Sequence, residues 1–220
     1  MDGRGPAALA EEVLALLLAS VCAGCERAGA LLCDDCRRML AAAPTDALTP
    51  DGLPVHAALA FQGVPARVIR RVKEEGATGL ARPLALALSP VLRERAPRDA
   101  LIVPVPTSRA AYRRRGYRVP ELLINGSGHR ATRVLRPIRR IRDQRGLDRA
   151  ARARNVAGSM RATTPGRGRE VVIVDDVVTT GATLDEAARA LRAAGFRPVC
   201  AIVLAATPGR RDTPEIETNG

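Results

Sequence analysis

The spacing of apolar residues predicts alternating strands and helices from about residue 55 onward. Val55–Phe61 and Leu101–Val105 are short apolar segments typical of strands. Between them, Arg67–Glu75 and Leu80–Arg93 have the pattern expected of helices. This order of elements is typical of an α/β domain.

The clearest pattern lies in the C-terminal third of the chain. Val171–Val174 is a continuous β-branched run, and Val199–Leu204 is a second apolar strand candidate. Between them, Gly181–Ala194 carries apolar residues at helical spacing, and Gly195 provides a stop for that helix. A strand, a helix and a strand within about 35 residues form a βαβ unit, so parallel strands are predicted here.

Patterns elsewhere are weaker. The arginine-rich middle is predicted to hold a helix near Pro120–Leu123, a strand near Val134–Ile138 and a helix near Leu147–Asn155. Residues 9–19 suit a short helix, and residues 41–54, rich in Ala, Pro, Thr and Asp, suit a linker. The predicted organisation is an N-terminal module at residues 1–45, an α/β domain at residues 55–207 and a polar tail at residues 208–220.

The composition supports a packed core but provides few aromatic rings. Of the 220 residues, 46% are apolar, which argues against general disorder. There is no Trp, and the aromatic residues are Tyr112, Tyr117, Phe61 and Phe196. Leu, Val, Ile and Ala must therefore form the core. So few aromatic side chains exclude the base-stacking platform that most single-strand nucleic-acid modules use.

The net positive charge of the chain is confined to its middle. The formal net charge is +12, and residues 98–154 carry 16 arginines against four acidic side chains. Such a block indicates a site for a polyanion, either a phosphorylated metabolite or nucleic acid. The alternative is compositional, since 34 of the 35 basic residues are Arg, but this explains the preference for Arg better than its clustering.

The apolar run Val13–Val21 lacks the features of a membrane or export signal. Its nine residues are far fewer than the roughly 20 that span a bilayer, and Glu11 and Glu12 precede it in place of basic residues. Val21 is also too bulky for the position before a lipidated cysteine at Cys22. The sequence therefore predicts a cytoplasmic protein with no membrane partner.

Four of the five cysteines form two closely spaced pairs. Cys22 pairs with Cys25 and Cys33 with Cys36, each across two residues, so both thiolates of a pair can face one tetrahedral ion. Four sulfur ligands favour Zn²⁺ or an iron–sulfur centre and leave no open position for catalysis. Structural zinc is preferred here over a redox centre or an empty cluster. Cys200, in a predicted strand, is interpreted as a buried apolar residue.

A second candidate site follows the strand at Val171–Val174. Asp175 and Asp176 come at its end, and a turn then opens the next helix. The residues of this turn are Val178, Thr179, Thr180, Gly181, Ala182 and Thr183. Backbone N–H groups, hydroxyls and the positive end of a helix dipole make such a turn a phosphate cradle. The two carboxylates would repel phosphate, so we expect them to bind ribose hydroxyls or a cation; a capped helix with solvated aspartates is the alternative.

The segment Val171–Thr183 resembles the phosphoribosyl pyrophosphate (PRPP) signature of type I phosphoribosyltransferases. Ile102–Thr107 is similar to the pyrophosphate loop of that family. The order of further positions resembles the ComF subgroup over about residues 20–207, through the four cysteines, Lys73, Arg113–Tyr117, Gln144 and Arg154-Asn155. The chain departs from that subgroup at Arg118-Val119, where relatives have Asn-Gln, and at Glu74, where they often have an aromatic residue.

The resemblance implies a type I phosphoribosyltransferase-like fold, with a parallel sheet flanked by helices and a small Cys₄ zinc module before it. It implies that Thr179–Thr183 holds the 5-phosphate of PRPP. It also implies that Asp175 and Asp176 are catalytic residues that take the ribose hydroxyls.

The same resemblance implies a site for the leaving group. Pyrophosphate with Mg²⁺ is expected to lie against Val105, Pro106 and Thr107. Arg113 and Arg115 are expected to close over it as catalytic residues, the alternative being a solvated basic loop.

No acceptor site is recognisable, because His56 and His129 lie outside every motif. ComF relatives are associated with DNA uptake, so two functions are expected. One is a phosphoribosyltransferase that acts on an unidentified acceptor. The other is a non-catalytic competence factor that binds single-stranded DNA or a helicase partner.

Overall fold

Residues 20–139 and 154–208 are described by the computed structural model of the chain. The elements in chain order are α1 (Asp34–Arg38), β1 (Thr45–Leu48), β2 (Pro54–Ala60), α2 (Gly63–Glu74), a 3₁₀ turn (Thr78–Leu80), α3 (Ala81–Arg95), β3 (Leu101–Pro104), α4 (Arg109–Arg115), α5 (Val119–Gly126), β4 (Leu135–Pro137), β5 (Met160–Ala162), β6 (Glu170–Val178), α6 (Ala182–Ala193) and β7 (Arg197–Ala206).

A five-stranded, mostly parallel sheet organises these residues. Its strand order is β1-β2-β7-β6-β3, in which β2, β7, β6 and β3 run parallel and β1 pairs antiparallel with β2 at one edge. The predicted βαβ unit is confirmed, because α6 connects the neighbouring parallel strands β6 and β7. The predicted α/β class is confirmed with it.

Apolar side chains cover both faces of this sheet, as is usual for parallel strands. On one face, a core cluster joins β2, β6 and β7 to α2, α3 and α5, with Leu88 and Ile124 fully buried in it. The cysteine-rich segment belongs to the same cluster through Cys22, Cys36 and Leu40. On the other face, α6 and the small antiparallel β4–β5 ribbon pack against the sheet. The segment around the cysteines therefore shares its core with the α/β domain.

Most predicted elements are present with small shifts of their ends. The strand predicted at Val55–Phe61 is β2, and the helix predicted at Arg67–Glu75 is α2, which begins earlier, at Gly63. The helix at residues 9–19, the polar tail after residue 208 and most of the helix predicted at Leu147–Asn155 lie outside the described residues.

The predicted linker at residues 41–54 holds the edge strand β1 instead. All residues of β1 are exposed, so the apolar pattern gave no sign of a strand there. The strand forms because its backbone pairs with β2. A side-chain hydrogen bond supports this pairing, since Nδ1 of His56 lies 2.7 Å from Oδ1 of Asp46.

The helices in the described part of the chain include none that has both the length and the apolar character to cross a bilayer.

A buried carboxylate on α6 joins that helix to the ribbon beneath it. The side chain of Glu186 is 3% exposed, and it accepts hydrogen bonds from the Met160 backbone N–H at 2.8 Å and from Nε of Arg189 at 2.7 Å. Burial acts to raise the pKa of Glu186, but the hydrogen bonds from Arg189, Met160 and Gly158 outweigh it. The pKa of this carboxyl is therefore lowered, and its charged form stabilises the fold.

Glu186→Gln is expected to lower the free energy of unfolding by about 2 kcal/mol near pH 7, because charge-assisted hydrogen bonds are lost. Since folding lowers the pKa of Glu186, its contribution is complete above the ordinary value of 4.5 and disappears as pH falls through the folded value. The difference in free energy of unfolding between wild type and variant should therefore become smaller as the pH falls. Urea unfolding between about pH 7 and pH 3 measures it.

The control for this experiment is Glu94→Gln, which removes an exposed carboxylate beside Arg95. It should change stability little at any pH. If Glu186→Gln lowers the free energy of unfolding by the same amount at every pH, the charged form of Glu186 does not stabilise the fold.

Candidate functional site

The four paired cysteines meet at one point. The sulfur atoms of Cys22, Cys25, Cys33 and Cys36 all lie within 4.8 Å of one another. The sulfurs of Cys25 and Cys33 are 3.6 Å apart, which brings one member of each pair together. The predicted convergence is thus confirmed, and the cluster can hold a metal ion. Cys200 is buried in the sheet, as predicted.

Local backbone geometry shapes this cluster. Gly24 packs so closely that a Cβ at this position would lie 2.6 Å from the sulfur of Cys36. The Gly24 carbonyl accepts a hydrogen bond from Nε of Arg67 at 2.5 Å, which ties the first knuckle to α2. Only glycine fits here without displacing a sulfur atom.

Backbone N–H groups surround one of the four sulfurs. The N–H groups of Gly24 and Cys33 donate to the sulfur of Cys22 at 3.4 and 3.3 Å. Burial acts to raise the pKa of the Cys22 thiol, but the N–H groups of Cys33, Cys25 and Gly24 outweigh it and lower the pKa to about 6. Burial and the neighbouring sulfurs raise the pKa of Cys36. A cation bound by these sulfurs would favour their thiolate form.

The second candidate site lies at the end of β6. The two aspartates were predicted at the C-terminal end of the strand, but β6 continues past them to Val178, because Val177 and Val178 still pair with β7. The Thr-rich turn follows, and α6 begins at Ala182. Gly181 precedes it in the left-handed region, with φ at +82°. The predicted strand, turn and helix order is therefore observed, with both aspartates inside the strand.

The two aspartates differ in their surroundings. Oδ1 of Asp176 lies 2.9 Å from Nζ of Lys73, and these side chains are 11% and 30% exposed. Asp175 accepts the backbone N–H of Asp176 at 2.8 Å. Burial, helped by the Asp176 charge and opposed by Lys73, raises the pKa of Asp175 to about 7. Asp175 thus changes its charge near neutral pH, while Lys73 faces Asp176.

Ile102–Thr107, the segment similar to a pyrophosphate loop, runs beside the acid pair formed by Asp175 and Asp176. Strand β3 pairs in parallel with β6, with Pro104 opposite Val174. The Val105 N–H then donates to the Val174 carbonyl at 2.8 Å. Val105, Pro106 and Thr107 therefore leave the sheet at the same edge as Asp175, because parallel strands end on one side.

The arginine segment forms a short helix rather than a loop. Ser108 caps α4 by accepting the Ala111 N–H at 3.2 Å, and Gly116, with φ at +81°, ends it. The Tyr117 hydroxyl donates to the Val72 carbonyl on α2. Nε of Arg115 is buried and has no partner among residues 20–139 and 154–208. Among the described residues, no hydrogen bond or ion pair joins Arg113 or Arg115 to Asp175 or Asp176.

The turn between β1 and β2 packs against the Thr-rich turn before α6. A Cβ on Gly181 would lie 2.9 Å from Cδ of Pro50, so the β1–β2 turn packs directly on the loop. The Asp51 N–H donates to Oδ2 of Asp185 on α6 at 3.4 Å. Burial raises the pKa of Asp185, despite a hydrogen bond from Thr49. The segment was predicted as a linker, and no motif in it indicated this contact.

Gln144 and Arg140 to Arg152 of the basic block lie outside the described residues. The Asn155 carbonyl accepts a hydrogen bond from Arg139 at 3.0 Å.

The chain is similar in sequence to known proteins over part of its length. Residues 128–218, which include the acid pair, the Thr-rich turn and α6, match the family model described as a phosphoribosyl transferase domain. The chain is 34% identical over 128 residues to the DNA utilization protein YhgH of Salmonella typhi. That match spans 54% of this chain and 55% of the relative, about half the length of each.

Two solved phosphoribosyltransferases are similar to the chain at low sequence identity. A crystal structure of an adenine phosphoribosyltransferase is 15% identical with a TM-score of 0.42, covering 78% of this chain and 89% of that one. The orotate phosphoribosyltransferase of Aeropyrum pernix is 19% identical with a TM-score of 0.33, covering 77% and 78%.

The resemblance predicted from the motifs is thus confirmed by the matched segment and by the relative of 34% identity. Residues 128–218 of this chain thus resemble a phosphoribosyl transferase domain, and a cluster of four cysteines lies nearer the N-terminus.

Proposed function

We propose that the chain binds PRPP, as its Mg²⁺ complex, at the edge of the sheet where β3 and β6 end. The observation that carries this proposal is the convergence of three features there: the acid pair, the Thr-rich turn before α6, and the loop Val105–Thr107. PRPP presents a phosphate, a ribose with two hydroxyls and a pyrophosphate, and each feature suits one of these groups.

The turn suits the 5-phosphate. It supplies the backbone N–H groups in the first turn of the 12-residue helix α6, together with the hydroxyls of Thr179, Thr180 and Thr183. Asp175 and Asp176 suit the ribose hydroxyls, which donate hydrogen bonds to carboxylates. The loop from Val105 to Thr107 and the arginines of α4 suit the pyrophosphate.

Transfer from such a complex needs no covalent step on the protein. The bond between ribose C1 and the pyrophosphate oxygen breaks, and its electron pair leaves with the pyrophosphate. The acceptor forms the new bond to C1 and gives up a proton. The carboxylates stabilise positive charge on the ribose, and Arg113 and Arg115 stabilise the leaving anion. The acceptor is unidentified, because no sequence motif for an acceptor site is recognisable.

The expected result for the wild-type chain is a thermal stabilisation by PRPP with Mg²⁺, about 2.7 kcal/mol when the ligand is 100-fold above its Kd. The double variant Asp175→Asn/Asp176→Asn should lose this shift, because neutral amides accept ribose hydroxyls less strongly. Thermal unfolding with and without the ligand measures both.

Glu170→Gln is the matched control, since Glu170 lies at the other end of β6 and faces Arg197. It should keep the full ligand shift. If wild type shows no shift, or if the double variant keeps it, the proposed site is wrong.

We also propose that the cysteine cluster holds one structural Zn²⁺. The support is chemical: four sulfur atoms within 4.8 Å match the ligand set and size of a closed tetrahedral zinc site. Since the cluster shares its core with α2, metal binding would stabilise the α/β domain as well as the knuckles.

Gly24→Ala keeps all four cysteines but adds a Cβ that would lie 2.6 Å from the Cys36 sulfur. We expect this variant to bind zinc about 10–100-fold more weakly, as is common when the surroundings of a metal ligand are disturbed. Competition with a chelator, followed by elemental analysis, measures it.

Cys33→Ser removes one ligand and should bind metal more weakly still, whereas Cys200→Ala, outside the cluster, should retain the wild-type metal content. Wild-type protein purified under reducing conditions with neither zinc nor iron would refute the proposal.

A second candidate function is the binding of single-stranded DNA. Arg109, Arg113 and Arg114 on α4 are exposed and have no carboxylate partner among the residues that the structure describes. In contrast, Arg118 and Arg133 are engaged by Glu121. The relative named a DNA utilization protein favours the same function.

We expect weak, salt-sensitive DNA binding with little base preference. Changing Arg109, Arg113 and Arg114 together to Gln should reduce the slope of log affinity against log salt by about 2, at about 0.7 per phosphate contact. The control is Arg167, Arg169 and Arg192 changed to Gln, three exposed arginines outside the basic block. Fluorescence anisotropy at several salt concentrations measures the slope, and no binding by wild type at low salt would exclude this function.

A further inference from the structure

The only lysine of the chain lies at the acid pair. Of 35 basic residues 34 are Arg, and the exception is Lys73 in the last turn of α2. Its ammonium lies 2.9 Å from Oδ1 of Asp176, and its side chain is 30% exposed. An ammonium is a compact charge with three donors, whereas a guanidinium is a wide, planar fork. A lysine therefore fits where one carboxylate oxygen must be held while the other stays available.

The same turn of α2 also contacts the arginine segment. The Tyr117 hydroxyl donates to the carbonyl of Val72, the residue before Lys73. Tyr117 follows Gly116, which ends the arginine helix α4. The last turn of α2 thus touches the acid pair through one residue and the arginine segment through its neighbour.

We propose that Lys73 is a positioning residue for the ribose end of the site, and that Tyr117 holds it in place. This inference rests on the proposed PRPP site. Lys73 fixes the orientation of the Asp176 carboxylate. One oxygen of Asp176 accepts a hydrogen bond from the ammonium, and the other accepts a hydrogen bond from a ribose hydroxyl. Tyr117 anchors the turn that carries Lys73, and so couples the acid pair to the position of α4.

Isothermal titration with ribose 5-phosphate and with PRPP plus Mg²⁺ tests this assignment. Lys73→Met should weaken the binding of both ligands about tenfold or more, which is the effect expected from the loss of one charge-assisted hydrogen bond. Lys73→Arg, which keeps the charge, should restore part of the affinity. Arg71→Met is the matched control, because Arg71 lies in the same turn but pairs with Glu75 at the surface. It should bind both ligands like wild type.

A double-mutant cycle separates positioning from independent effects. Tyr117→Phe should weaken the binding of ribose 5-phosphate when Lys73 is present. The same change should have little further effect on binding in the Lys73→Met variant. Additive effects of the two changes would overturn the role of Tyr117.

The single lysine also allows a direct chemical measurement. Reductive methylation modifies amines, so Lys73 provides the one side-chain target in the chain. Bound ribose 5-phosphate should slow its modification, which a merely structural lysine far from the ligand would not show.

The outcomes distinguish the two proposals. Wild type that binds neither ligand overturns the PRPP site and this assignment together. Wild type that binds both, with Lys73→Met binding equally well, overturns this assignment alone.

Discussion

The parallel pairing of β6 with β3 on one side and β7 on the other is the constraint on which the site depends. Each of these strands is buried on both faces, so its register is held by the two apolar clusters as well as by the ladder. Parallel strands end on the same side of a sheet, and the chain must leave each strand there. The segments that follow β3 and β6, although far apart along the chain, therefore become neighbours.

Placing two acidic residues on a buried strand has an electrostatic cost that the surroundings reduce unevenly. Lys73 reaches Asp176 directly, whereas Asp175 relies on the N–H of Asp176 and has its pKa raised to about 7. One carboxylate is thus matched by a cation, and its neighbour can exist in either form at neutral pH. A pair built in this way can accept hydrogen bonds from a polyol without gathering two uncompensated charges.

Much of this arrangement could be predicted from the sequence, because the relevant signals are local. The β-branched run before Asp175, the helical spacing after Gly181 and the paired cysteines each lie within a few residues of one another, and each predicted feature is present. The contacts that could not be predicted join distant segments. Lys73 to Asp176, Arg67 to Gly24 and Pro50 against Gly181 depend on how elements pack, and no periodicity encodes them. β1 was missed for a related reason: its side chains are all exposed, so only its backbone pairing reveals it.

The turn between β1 and β2 bears on where this domain begins. A boundary drawn at residue 55, where the apolar pattern starts, would remove β1 and the turn that packs on Gly181. Strand β2 would then become an unprotected sheet edge, open to pairing with another chain. A shortened fragment intended to keep the Thr-rich turn intact must therefore start before Thr45. A fragment intended to keep α2 fully packed must retain the cysteine knuckles as well.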